Sequence, residues 1–130
     1  MKESNFKFSN PIVEAMEYSV SNKFDSTIPP SIKNQFDVKI GKSETLNEAI
    51  VRLTVLIDAN QENTNSPFSI SLTIGAKFIW DDSYDIDTVN SMLSINAPAL
   101  LLGYARPIIS SITSSSPYGS YNLPFYNFVQ

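Results

Sequence analysis

Between Phe68 and Trp80 every even position carries an apolar side chain: Phe68, Ile70, Leu72, Ile74, Ala76, Phe78 and Trp80. Ser69, Ser71, Thr73, Gly75 and Lys77 occupy odd positions between them. A period of two sends successive side chains to opposite faces of an extended chain, so this segment predicts a long strand with one buried face. A second run starts at Ala49, where Ala49, Val51, Leu53, Val55 and Ile57 alternate with residues such as Arg52 and Thr54. The polar stretch from Asn60 to Pro67 then predicts a hairpin loop joining the two strands antiparallel.

The same pattern, weaker, marks two more strands. Phe36, Val38 and Ile40 alternate with Asp37 and Lys39 and stop at Gly41. Upstream, Phe6 and Phe8, then Ile12, Glu14, Met16, Tyr18 and Val20, predict a first strand broken near Pro11. Proline cannot donate to a sheet ladder, which assigns this strand to an edge or places a bulge at the proline. Asn22 to Asn34, with Phe24, Ile28 and Ile32 around Pro29-Pro30, reads as an extended crossover loop.

Beyond Trp80 the period changes. Asp81 to Asp87 is an acidic turn, Thr88 to Ser94 predicts a short helix, and Pro98 opens another. In that second helix Leu100, Leu101, Tyr104, Ile108 and Ile112 recur at helical spacing. Pro107 lacks a backbone donor and predicts a kink. Thr113 to Ser116 terminates the helix, and Pro117 to Gln130 is an extended, aromatic-rich tail. The fold class expected is α+β: a four-stranded antiparallel sheet followed by a kinked helix. With 130 residues and 42% apolar content the chain supports one core, hence a single domain over residues 1–130. One helix cannot cover both faces of such a sheet, so self-association is expected.

Histidine and cysteine are both absent. That removes the commonest general base, the thiol nucleophile and the usual zinc ligands, and no acid–base pair stands out among the carboxylates. No enzyme activity and no cofactor are expected. Asp81, Asp82, Asp85 and Asp87 lack the glycine and distal glutamate of a calcium loop and read as a solvated turn, so no metal is expected either. Gly41-Lys42-Ser43 has no upstream glycine and no following helix, which excludes a phosphate loop. With 9 Lys and Arg scattered against 13 Asp and Glu, nothing offers a stripe for a phosphate backbone, and nucleic acid is excluded as a partner. The N-terminus carries no apolar signal core, and no later stretch reads as the ~20 apolar residues of a membrane span. A soluble, cytoplasmic chain without membrane insertion is the expectation.

Three segments, AIVRLTVLIDA, FSISLTIGAKFIW and INAPALLLGYARPIISSITSSSPYGSYNLPFYNF, follow one another in an order and spacing that resemble the SecB family of protein-export chaperones. The residues carrying the resemblance are Arg52 to Val55, Pro98, Tyr104-Ala105-Arg106 and Asn127-Phe128, within a match from about residue 6 to 128. The resemblance implies an ATP-independent holdase that binds unfolded or extended polypeptide clients. It implies a client groove floored by the crossover segment, with Phe24, Ile28, Ile32 and Phe36 as candidates and Met92 adding adaptable surface. Those side chains are equally at home as core packing. A homo-oligomer, dimer or tetramer, is also implied, with the helix residues Leu100, Leu101, Tyr104, Ile108 and Ile112 at the interface or packed within one subunit.

Two departures narrow what carries over. The family's second C-terminal helix and acidic tail have no counterpart before Gln130, and the acidic positions by which SecB docks the SecA motor fall on Ala15 and Ser19, with Glu14 and Glu17 only adjacent. SecA is therefore not implied as a partner. Two alternatives stand beside an export chaperone: a dedicated SecB-like chaperone of an antitoxin in a toxin–antitoxin system, and an oligomeric adaptor whose apolar surfaces serve only self-assembly.

Overall fold

Four antiparallel ribbons, side by side, make the sheet. In the computed structural model, which describes residues 2–58 and 65–129, the strands are β1 (Lys7–Phe8), β2 (Ile12–Val20), β3 (Asn34–Lys42), β4 (Glu48–Ile57) and β5 (Phe68–Ile79). β5 pairs with β4 on one side and with both β1 and β2 on the other, and β3 lies beyond β4. The sheet thus has five strands where four were expected, because Pro11 splits the N-terminal strand in two without moving it off β5. Ser9 bridges the gap: its N–H donates to the Lys77 carbonyl at 2.9 Å and its hydroxyl accepts from the Lys77 N–H at 3.0 Å. Of the expected hairpin loop, residues 60–64 lie outside the described residues.

Register explains the core. Val51, Leu53, Val55 and Ile57 stand opposite Ala76, Ile74, Leu72 and Ile70, so both alternating sets share one face. All eight are buried, and Phe36 and Val38 of β3 extend that face opposite Val55 and Leu53.

The N-terminal strand lies at the sheet edge, one of the two outcomes expected from Pro11, and a bulge also occurs, at Glu14. Val13 pairs with Ile74 and Ala15 with Thr73, leaving Glu14 as the extra residue. Its insertion reverses the alternation: Val13 before it and Met16, Tyr18 and Val20 after it share the core face. Glu14 itself turns to the outer face, where Oε1 accepts from Arg52 Nε at 2.8 Å. Gly75 makes room for this pair. A Cβ there would lie 2.6 Å from Glu14 Oε2 and 3.2 Å from Arg52 Cγ.

The helical layer starts at α1 (Ile86–Ser91), capped by Asp85, whose carboxylate accepts from the Thr88 N–H at 2.7 Å. It continues through a π-helical turn, Met92–Asn96, into α2 (Ala97–Thr113). The widened turn loosens the backbone ladder just ahead of Pro98, which has no N–H to give. α2 then runs through Pro107, whose missing donor faces an exposed stretch of helix. By length and apolar content Ile86–Thr113 also passes for a membrane span; its buried side chains, however, lie against β4 and β5. Leu101, Ala105 and Ile109, four residues apart, are 0% exposed. Leu101 and Ile109 each contribute about 1.5–3 kcal/mol on burial.

Candidate binding surface

The helix covers the middle of the sheet and stops there. β2 lies at the free edge of β5, and its core-face residues Val13, Met16 and Val20 remain exposed. Tyr18 between them is half-buried and leans on Phe68, ring centroids 6.5 Å apart. An uncovered apolar strip of this kind is where another chain gains by packing.

The crossover between β2 and β3 is held from outside itself. Asn65 Nδ2 donates to the carbonyls of Asp25 (2.8 Å) and Pro29 (3.3 Å), its Oδ1 accepts from the Asp25 N–H, and its carbonyl accepts from the Ser31 N–H. The hydroxyl and N–H of Thr27 bond the Asp25 carboxylate and hold its pKa below the usual value. Asp58, at φ 49°, closes the segment by accepting from the Lys33 N–H and donating its own N–H to the Lys33 carbonyl. On this frame Ile28 is half exposed, Phe24 half-buried, and Ile32 packs against the core.

The C-terminal tail returns over β3. The Tyr121 N–H donates to Thr113 Oγ1 at 2.8 Å, and Arg106 Nη2 donates to the Leu123 carbonyl at 2.7 Å while its guanidinium lies 4.2 Å above the Phe125 ring. Tyr126 and Phe128 then pack on Phe36 at 4.5 and 6.1 Å. Asn34 Nδ2 ties both tyrosines, donating to the hydroxyls of Tyr121 (2.7 Å) and Tyr126 (2.9 Å). Burial pushes the Tyr121 phenol above its ordinary pKa. Two acceptors at this corner, Asn34 Oδ1 and Asp58 Oδ2, are buried without a partner.

The sequence-derived candidates therefore separate. Ile32 and Phe36 join the β3 side of the core, Phe36 beneath the tail; Met92 is half-buried in the π-helical turn, which packs against β3. Of the helix residues, Leu101 is fully buried in its own subunit, Leu100, Ile108 and Ile112 are half-buried, and Tyr104 is exposed. Arg106, named above only for the resemblance it carries, clamps the tail. The residues missed are Val13, hidden by the bulge, and the tail aromatics, which lack any periodicity. Among the described residues, no cluster of three or more Asp, Glu, His or Cys is placed to hold a metal ion.

Residues 14–130 match the family described as preprotein translocase subunit SecB. The chain belongs to the SecB family. Its fold agrees with that of the SecB-like chaperone of Mycobacterium tuberculosis, solved in complex with a ChAD peptide from the HigA1 antitoxin: the TM-score is 0.77 over 95% of this chain and 91% of that one, at 10% identity. A protein of Methanocaldococcus jannaschii known only as uncharacterized is 27% identical over 124 residues, covering 93% of this chain and 78% of its own length. A Streptococcus agalactiae protein of unknown function superposes with a TM-score of 0.48 at 15% identity, over 92% of this chain and 97% of that one. In SecB terms, the sheet and long helix are present here; β2 is open at one edge of the sheet, and the tail covers Phe36 of β3 at the other.

Proposed function

We propose that this SecB-family protein is an ATP-independent holdase that keeps extended, apolar-rich segments of unfolded polypeptides from aggregating. The observation that carries this is the uncovered strip Val13, Met16 and Val20 on the helix side of β2. Binding is driven by burial of client side chains and opposed by ordering of the client, so no nucleotide is required. Phe24 and Ile28 of the crossover extend this surface, while Ile32, Phe36 and Met92 lie on the β3 side at the opposite edge of the sheet, where with the tail aromatics over Phe36 they offer a second client contact. We further propose a cytoplasmic homo-oligomer, dimer or tetramer, in which Leu100, Tyr104, Ile108 and Ile112 contact the neighbouring subunit; several copies raise avidity for a long client.

A second role within the same activity has specific support. The Mycobacterium tuberculosis chaperone of the same fold was solved with an antitoxin peptide, which favours an antitoxin as the dedicated client over handover to SecA. A toxin and antitoxin encoded beside this gene would decide for it. The holdase itself is tested by diluting a denatured model client into equimolar protein without ATP. Light scattering should be suppressed; unchanged aggregation at severalfold excess would leave the adaptor alternative.

A further inference from the structure

At the end of the sheet away from the crossover, the β3–β4 turn and the start of the helical layer enclose an open cavity of about 610 Å³. Lys42, Leu46, Trp80, Tyr84, Ile86 and Val89 line it. Two of these, Leu46 and Ile86, are 61% and 60% exposed. Aliphatic side chains left in water cost about 25 cal/mol for each Å² that a partner would cover.

The aromatic wall is already held in place. Phe6 stacks on Trp80 with centroids 5.5 Å apart and planes 8° apart, and meets Tyr84 edge-on at 5.8 Å. The turn is tied down by hydrogen bonds too: Ser43 Oγ accepts from the Leu46 N–H at 3.0 Å, the Trp80 N–H donates to the Asn47 carbonyl at 3.2 Å, and Asn47 Nδ2 donates to Asp82 at 2.7 Å. A site so ordered loses little entropy when it is filled.

Charge selects the occupant. Glu44 lines the cavity, Asp81 and Asp82 follow Trp80, and Asp85 and Asp87 flank Ile86, against Lys42 as the one cation in the lining. Hydrogen bonds from Ser83 and Thr88 hold the Asp81 and Asp85 carboxyls below their usual pKa, so both stay ionised at neutral pH. Lys42 is drawn aside to Asn90 at 3.3 Å. Acidic groups in and next to a lining that presents Leu46, Trp80, Ile86 and Val89 repel acidic segments and attract basic ones. We propose that this cavity is a second docking site, separate from the β2 and tail surface, for a partner polypeptide presenting an aliphatic or aromatic side chain flanked by lysine or arginine.

Trp80 is the sole tryptophan of the chain and lines the site, so its fluorescence reports occupancy directly. The probe is a short capped peptide with a central leucine between lysine pairs, titrated into the full chain. A saturable change in emission is expected, weakened about tenfold when the leucine is replaced by serine and again at about 0.5 M salt. Replacing the lysines by glutamates should abolish it. The double variant Leu46→Ser, Ile86→Ser should lose about tenfold in affinity while keeping its circular dichroism, its oligomer mass and its suppression of client aggregation. No emission change up to millimolar peptide, or equal affinity for the serine peptide, overturns the proposal. A fall in oligomer mass in the double variant would assign the cavity to a second copy of the chain. Loss of the signal in Met16→Ser would place the peptide on β2, and either result also overturns the proposal.

Discussion

Leu72 and Met16 stand opposite each other on neighbouring strands and point to the same face of the sheet, yet Leu72 is 0% exposed and Met16 43%. Both belong to apolar alternations that look alike in the sequence. The difference is the helix: α2 lies over β4 and β5 and does not extend over β2. One strand therefore stabilises the fold, and its neighbour is left with apolar surface to offer.

The contrast is sharpest in stability. Leu72→Ala should cost about 2–5 kcal/mol, because a closed core cannot collapse onto the cavity left behind. Met16→Ser should change stability by less than about 0.5 kcal/mol while lowering client protection. Urea denaturation and the aggregation assay, run side by side, check both; similar stability losses would break the comparison.

The outer face provides the next test. Gly75→Val should cost about 1–3 kcal/mol, since the new side chain must push aside both Glu14 and Arg52. At Gly41 the nearest atom to an added Cβ is the Ile50 carbonyl at 3.8 Å, so Gly41→Ala should fit without displacement. Equal effects in thermal unfolding would mean that the bulge does not bring Glu14 over Gly75.

A smaller effect is expected at the tail. Tyr126→Ser removes the aromatic contact on Phe36 and one Asn34 hydrogen bond, and should cost about 0.5–1.5 kcal/mol. It should also increase binding of an apolar dye, because Phe36 loses part of its cover. Unchanged dye binding would show that the tail does not shield β3.

Smallest is a pH effect at Tyr121. Its phenol has a folded pKa raised above the ordinary 10.0, mainly by burial. The folded chain thus holds that proton more tightly than the unfolded one, and the stability linked to it is complete below pH 10.0 and lost as pH rises through the folded value. Tyr121→Phe should flatten the alkaline fall in denaturation midpoint. An identical slope in both proteins would remove Tyr121 as its source.

How far these features could be read beforehand varies along the chain. The paired faces of β4 and β5 follow from local alternation, and helix after them follows from the change to helical spacing, although the short helix and the one at Pro98 run on into each other through the π-helical turn. In the helix, the sequence offers a broad apolar surface from Leu100 to Ile112. Docking buries the side carrying Leu101, Leu102, Ala105 and Ile109 and leaves Tyr104 exposed. Asn65 as the anchor of the crossover, Arg106 as the clamp of the tail and Asn34 as the tie between two tyrosines join residues up to 92 positions apart. No spacing rule encodes such bonds.

By itself the sequence determined which side chains of β4 and β5 share a face, that sheet precedes helix, and that neither a thiol nor an imidazole is available for chemistry. It also carried the SecB resemblance through its ordered segments. Tertiary structure alone decided that the bulge falls at Glu14, that β2 keeps an apolar strip uncovered, and that the tail rests on Phe36. The reason is physical: periodicity records neighbours a few residues apart, whereas burial depends on which distant segment arrives to cover a face and how far it reaches.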